Sequence, residues 1–218
     1  MLRKAFIACL ITALAACQGD PNVALIEASK QGDADQIPDL LGAGADPDLR
    51  DEDGSSVLML AVVSGQHDAV RALLQGGADP QATIENGSTA LHVAAGTGDA
   101  AVVRTLLELG ADVNSRTSSG TTSLMMAALW GHLDALQVLL EAGAHKNLKN
   151  EDESSALMLA TTERHPEIVR ALLDAGANPR IERRGLTPLM MARREGYTEI
   201  EIMLSDALGL GKKKRRKF

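Results

Sequence analysis

Apolar positions recur along this chain with a long, fixed step. Leu25, Leu58, Leu91, Leu124 and Leu157 lie 33 residues apart, and Leu189 follows after 32. A glycine followed by alanine keeps the same step at Gly44, Gly77, Gly110, Gly143 and Gly176. Self-similarity at one period marks a chain of stacked units. The stretch from Gly87 to Gly110, GSTALHVAAGTGDAAVVRTLLELG, is the clearest copy. In it Leu91, Ala94 and Ala95 fall at helical spacing, and Gly98 is placed to end that helix. Val102, Val103, Leu106 and Leu107 then form one apolar stripe on a second helix that stops at Gly110. Thr89, after a glycine turn, is expected to cap the first helix by accepting from an orphan amide. A helix pair this short cannot bury both faces alone, so each unit must draw its core from its neighbours.

Thr89-Ala90-Leu91-His92, Thr187-Pro188-Leu189 and the Leu-Leu pairs before Gly-Ala together resemble the ankyrin repeat, from about residue 22 to 208. The resemblance implies an all-α, ankyrin-repeat solenoid of about six stacked helix-turn-helix repeats with hairpin loops. They fall at about 22–49, 50–81, 82–114, 115–147, 148–180 and 181–208. The first serves as a cap, with Asp20 and Pro21 starting its helix. The fifth departs most. Glu153 stands where other repeats have the turn glycine and Arg164 where they have the helix-ending glycine, so either the backbone adapts or the repeat is strained. Pro166 suits the first position of a second helix. The loop after Gly176 is one residue short, which leaves the hairpin before Gly185 undetermined. The sixth repeat ends in Leu204-Ser205 without Gly-Ala, and a polar outer residue suits a terminal cap.

Residues 1–16 stand apart. Arg3 and Lys4 precede an apolar run of about a dozen residues, too short for a membrane-spanning helix and suited to a signal peptide. Its end, Leu14-Ala15-Ala16-Cys17, resembles a bacterial lipobox, which implies lipidation at Cys17; an ordinary signal peptide beside a chance cysteine is the alternative. Residues 17–21 then form a tether of about 17 Å at roughly 3.5 Å per residue. The expected location is the periplasm, lipid-anchored, with Gln18 favouring the outer over the inner membrane by analogy with enteric lipoproteins.

Charge divides the chain further. Of 22 basic and 29 acidic residues, two basic ones lie in the leading segment and six in the tail, leaving 14 basic against 29 acidic in the repeats. The tail at 209–218 holds Lys212, Lys213, Lys214, Arg215, Arg216 and Lys217. Such a block is either solvated or docks on anionic head groups or an acidic partner face; nuclear import conflicts with a secretion signal.

No catalytic constellation emerges. His67, His92, His132, His145 and His165 sit in successive repeats rather than together, which predicts no metal site and no cofactor. The family resemblance implies instead that His92 and His132 brace turns, and that partners bind a concave face of hairpin tips and exposed first-helix ends. Those positions are Glu52, Asp53, Val63, Glu85, Asn86, Arg116, Leu129, Trp130, Lys149, Glu151, Asp152, Glu163, Arg183, Arg184 and Arg194, acidic toward the N-terminal half and basic at the C-terminal end. Trp130, the only tryptophan, either anchors a partner or packs on the adjacent first helix. The expected function is a non-enzymatic protein-binding module near a membrane, as scaffold, protector or immunity-type partner. A secreted effector acting on host targets is the alternative. A protein partner, a membrane contact through lipid and tail, no nucleic acid and a monomeric state complete the expectation.

Overall fold

The computed structural model describes residues 19–210. The expected signal peptide, the lipidation at Cys17 and the basic residues 212–217 lie outside the described residues. Twelve helices follow as six pairs: α1 (Pro21–Gln31) with α2 (Gln36–Gly42), α3 (Val57–Val63) with α4 (His67–Gln75), and α5 (Ala90–Thr97) with α6 (Ala100–Glu108). Then come α7 (Ser123–Trp130) with α8 (Leu133–Glu141), α9 (Ala156–Thr162) with α10 (Pro166–Asp174), and α11 (Pro188–Glu195) with α12 (Thr198–Ala207). First helices stack on first helices and second on second. The chain is all-α, and only isolated bridges such as Thr83 with Thr89 join the hairpin arms among the described residues.

The leucine step is the spine of the stack. Leu25, Leu58, Leu91, Leu124 and Leu157 are at most 1% exposed, and Leu189 only 6%. A second ladder, Leu73, Leu106, Leu139, Leu172 and Leu204, is fully buried between the second helices. Burying one such side chain is worth about 1.5–3 kcal/mol, and each leucine is buried largely by the neighbouring pairs.

Local signals set the helix ends. Asp20 accepts from the Asn22 amide at 2.9 Å, with Pro21 at the first helical position. Ser56, Thr122, Ser155 and Thr187 likewise accept from the amide three residues on. In the third repeat Thr89 and His92 form a capping box: the Thr89 amide donates to His92 Nδ1 at 3.2 Å, and the Thr89 hydroxyl lies 2.9 Å from the same nitrogen. The side chain reaching back to the helix start completes the cap rather than replacing it.

The fifth repeat keeps its neighbours' backbone despite lacking their glycines. Glu153 and Arg164 take φ of 60° and 59°, in the left-handed region. Strain of this kind is worth about 1 kcal/mol or more per residue. The short sixth loop is accommodated by a two-residue turn: Arg184 and Gly185 have φ of 50° and 77°, and Arg183 and Leu186 exchange both backbone bonds at 3.0 and 2.9 Å. Two positive φ values in succession define a type I′ hairpin.

Side chains also tie each repeat to the next. Asp48 accepts from the Asp79 amide, Asn114 from that of His145 and Asn147 from that of Asn178, all at 2.7–2.8 Å. Gln81 at the same register donates to the Gly110 carbonyl at 3.1 Å. A second column braces the turn between first and second helices. His132 Nε2 lies 3.0 Å from the Gly96 carbonyl and His165 Nε2 3.1 Å from that of Leu129. Each ring covers the left-handed residue of the preceding repeat so closely that a Cβ on Gly98 would stand 2.5 Å from His132. In the last junction Tyr197 takes the same place, and the Arg164 guanidinium lies 5.6 Å from its ring centre. A cation over an aromatic face thus replaces the imidazole-on-glycine contact.

Ser123 is fully buried and its hydroxyl has no partner among the described residues. The equivalent residues of the third and fifth repeats are Ala90 and Ala156. Ser123→Ala is therefore expected to stabilise the fold by about 1 kcal/mol, read as a higher urea midpoint with an unchanged slope.

Candidate protein-binding face

Hairpin tips and the C-terminal ends of the first helices form one continuous exposed face. Glu52 and Asp53, Glu85 and Asn86, and Glu151 and Asp152 are exposed at the tips of the second, third and fifth repeats, with the neutral Ser118 and Ser119 at the fourth. The tips are aligned by backbone bonds between repeats, from Ser118 N to Asn86 O and from Glu151 N to Ser119 O, both 2.9 Å. Their carboxylates therefore project from a stiff row rather than from separate mobile loops.

Two basic residues expected to meet a partner have another task. Arg116 donates to the Lys149 carbonyl at 2.8 Å and lies against Gly120, while Lys149 Nζ donates to the Glu182 carbonyl at 2.9 Å. Arg50, one period earlier, donates to the Thr83 carbonyl at 2.8 Å. These long cations bind each hairpin to the next, and Arg116 stays exposed on the face while doing so.

The basic residues expected at the C-terminal end are partly engaged. Arg194 pairs with Glu195 at 2.9 Å, Arg183 is half-buried beside its turn, and the Arg184 amide bonds the Glu153 carboxylate at 3.3 Å. Residues 114–210 carry 10 basic and 13 acidic side chains, whereas residues 19–113 carry 4 and 16. The N-terminal half of the stack is strongly acidic and the C-terminal half nearly balanced.

On the first helices, Val63 is 64% exposed, Leu129 half-buried, and Glu163 exposed at the end of α9. Trp130 is 59% exposed at the end of α7. A Cβ on Gly96 in α5 would crowd Met126 Cε at 3.2 Å and would stand in ordinary contact with Trp130 Cδ1 at 3.9 Å. One edge of the indole lies beside the backbone of Gly96 while most of the ring faces outward. Val63, Met126, Leu129 and Trp130 make the apolar part of an otherwise polar face.

His92 lies beneath the hairpins and is 1% exposed. Its Nδ1 accepts from Thr89, so Nε2 carries the proton that is donated to the Thr121 carbonyl at 3.1 Å. The ring links the third repeat to the fourth in its neutral form. Burial lowers its pKa from the ordinary 6.5, only partly opposed by the backbone bonds to Thr121 and Ser115. The other close imidazole contact joins His67 Nε2 to Asp99 at 2.6 Å. Among the described residues no three His, Cys, Asp or Glu side chains converge as a metal site.

The family model described as ankyrin repeats matches three times, over residues 25–117, 77–150 and 124–215. The crystal structure of an ankyrin repeat domain from Acinetobacter baumannii AYE is 34% identical, covering 84% of this chain and 97% of that one with a TM-score of 0.80. No curated protein matches this sequence.

The environment of His92 sets a pH dependence. Its folded pKa lies below the unfolded value, so the unfolded chain takes up the proton first and stability falls as pH drops through and below 6.5. Chemical denaturation between pH 7.5 and 5 is expected to show this fall, and His92→Gln is expected to flatten it; an equal slope in the variant would place its origin elsewhere.

Proposed function

The chain belongs to the ankyrin repeat family, and from that premise we propose that it is a non-enzymatic protein-binding module whose concave face holds one protein partner beside a bacterial membrane. Ankyrin repeats are protein-interaction modules, and the reading for this chain rests on one observation above the others. A single tryptophan, 59% exposed, projects from the end of a first helix in a protein with 2% aromatic residues. Aromatic residues at exposed sites of this kind dominate interface energetics once desolvated. The stiff row of acidic hairpin tips beside it favours a basic partner and fast association.

Lipid on Cys17 would keep this face near the membrane, with two acyl chains holding where one does not. A tether of about five residues, at roughly 3.5 Å each, leaves the first repeat within about 17 Å of the lipid. A scaffold, a protector of a periplasmic enzyme and an immunity-type partner all use such an arrangement. The acidic face suits the last two when the protein to be covered is basic.

Affinity capture from a periplasmic extract with the tagged chain, followed by mass spectrometry, is expected to recover a protein that Trp130→Ala loses. The variant should weaken binding by about 2 kcal/mol or more, roughly 30-fold, with an unchanged unfolding midpoint. Equal capture by both chains would move the binding face elsewhere. Labelled palmitate is expected to enter the chain in a bacterial host and to be absent from Cys17→Ser; label retained in the variant would rule out anchoring at that residue.

A further inference from the structure

At three of its five junctions the stack closes the turn between first and second helices with a ring. His132 and His165 donate to the carbonyls of Gly96 and Leu129 and cover Gly98 and Gly131, and Tyr197 stacks on Arg164. Between the first and second repeats the Gln66 side chain covers Gly32. The junction between the second and third repeats is different. There the column residue is Asp99, whose carboxylate cannot donate a hydrogen bond.

Asp99 turns away from the seat its counterparts occupy. One oxygen accepts from the Val102 amide at 3.0 Å and caps α6, and the other meets His67 Nε2 at 2.6 Å. Gly65 is consequently uncovered, with nothing within 4 Å of the position its Cβ would take. The Val63 carbonyl, equivalent to the Gly96 and Leu129 carbonyls, receives no donor among the described residues. A cleft of about 290 Å³ opens here, lined by Val62, Val63, Gly65, Thr97, Gly98 and Asp99.

The chemistry of this cleft is one-sided. Val63 and Val62 supply an apolar wall, while the Val63 carbonyl and the remaining lone pairs of Asp99 are acceptors. The Thr97 hydroxyl is engaged, donating to the Ala94 carbonyl at 3.2 Å. The end of α3 adds the partial negative charge of a helix C-terminus. Around the cleft, residues 19–113 hold 16 acidic side chains against 4 basic ones.

We infer that this cleft is a seat for a cationic side chain, an arginine on the protein partner, which supplies the donor that the imidazole supplies at the next two junctions. The aliphatic stem of the arginine lies along Val63, and its guanidinium spans the Val63 carbonyl and the Asp99 carboxylate. This rests on the proposed protein-binding role and adds the chemistry of one contact: an arginine about two repeats from the residue that meets Trp130.

Amide shifts of the ¹⁵N-labelled chain, titrated with acetyl-Gly-Arg-Gly-amide and with its citrulline counterpart, test the inference. Saturable shifts are expected at Val63, Gly65, Thr97 and Gly98 with the arginine peptide, and less than a fifth of them with citrulline at equal concentration. Asp99→Asn, which keeps an acceptor for the Val102 amide, should weaken binding at least fivefold without altering the unfolding midpoint. Asp99→His should fill the seat and abolish the shifts. Shifts spread instead over Glu52, Asp53, Glu85 and Glu151, an unaffected Asp99→Asn variant, or no saturable shift would overturn it. Protein capture by a chain whose cleft does not respond would sink this inference alone. A responsive cleft on a chain that captures nothing would sink only the protein-binding role.

Discussion

Every unit of this molecule is too small to keep its own leucines from water. Leu91 or Leu106 is buried because helices before and after it close over the side chain, so the stabilising contact is the surface between repeats rather than the interior of any one of them. That constraint explains the even period, which keeps each apolar ladder in line. It also explains why so much side-chain bonding runs forward to the next repeat. Arg50, Gln81, Asn114, Arg116, Asn147 and Lys149 all bond backbone groups 29–33 positions away.

A stack held by its junctions can vary any junction without losing the fold, and function enters through such variation. Gly96 removes a side chain from α5 at the position held by Val63 and Leu129 in the neighbouring repeats, and the exposed Trp130 lies beside it. Asp99 removes a ring from one turn and leaves a cleft. Both features arise from a small or short residue at a site that neighbouring repeats fill. The exposed chemistry of the face is therefore produced by local departures from the repeating pattern, while the pattern itself supplies rigidity.

Periodicity made the helices, the two leucine ladders and the capping residues legible from the amino-acid sequence, because each depends on spacing within about 33 residues of one chain. The partners of individual side chains were not. Arg164 takes its left-handed φ with its guanidinium against Tyr197 of the next repeat, a partner that the fifth repeat alone does not reveal. Arg116 and Lys149 look like free cations when each repeat is taken alone. Aligned with Arg50 they form a column, and a long cation recurring one repeat before a hairpin was the available sign that it braces the next loop. At Thr89 the returning bond from His92, which completes a capping box, was the part spacing alone did not reveal. Asp99 carried a signal too: a carboxylate in a register otherwise held by Gln66, His132, His165 and Tyr197.

The turn-covering column has a consequence for how this array could be rearranged. Each covering side chain is matched to the residue beneath it: imidazole needs the bare glycine, and Tyr197 accepts an arginine. Transposing the fourth and fifth repeats would set Arg164 under His132, where even an added Cβ at the present glycine collides with the ring. The repeats are consequently not interchangeable beads. Their linear order is written into pairwise compatibilities, and shuffling by recombination would succeed only at cuts that move a covering residue together with its floor.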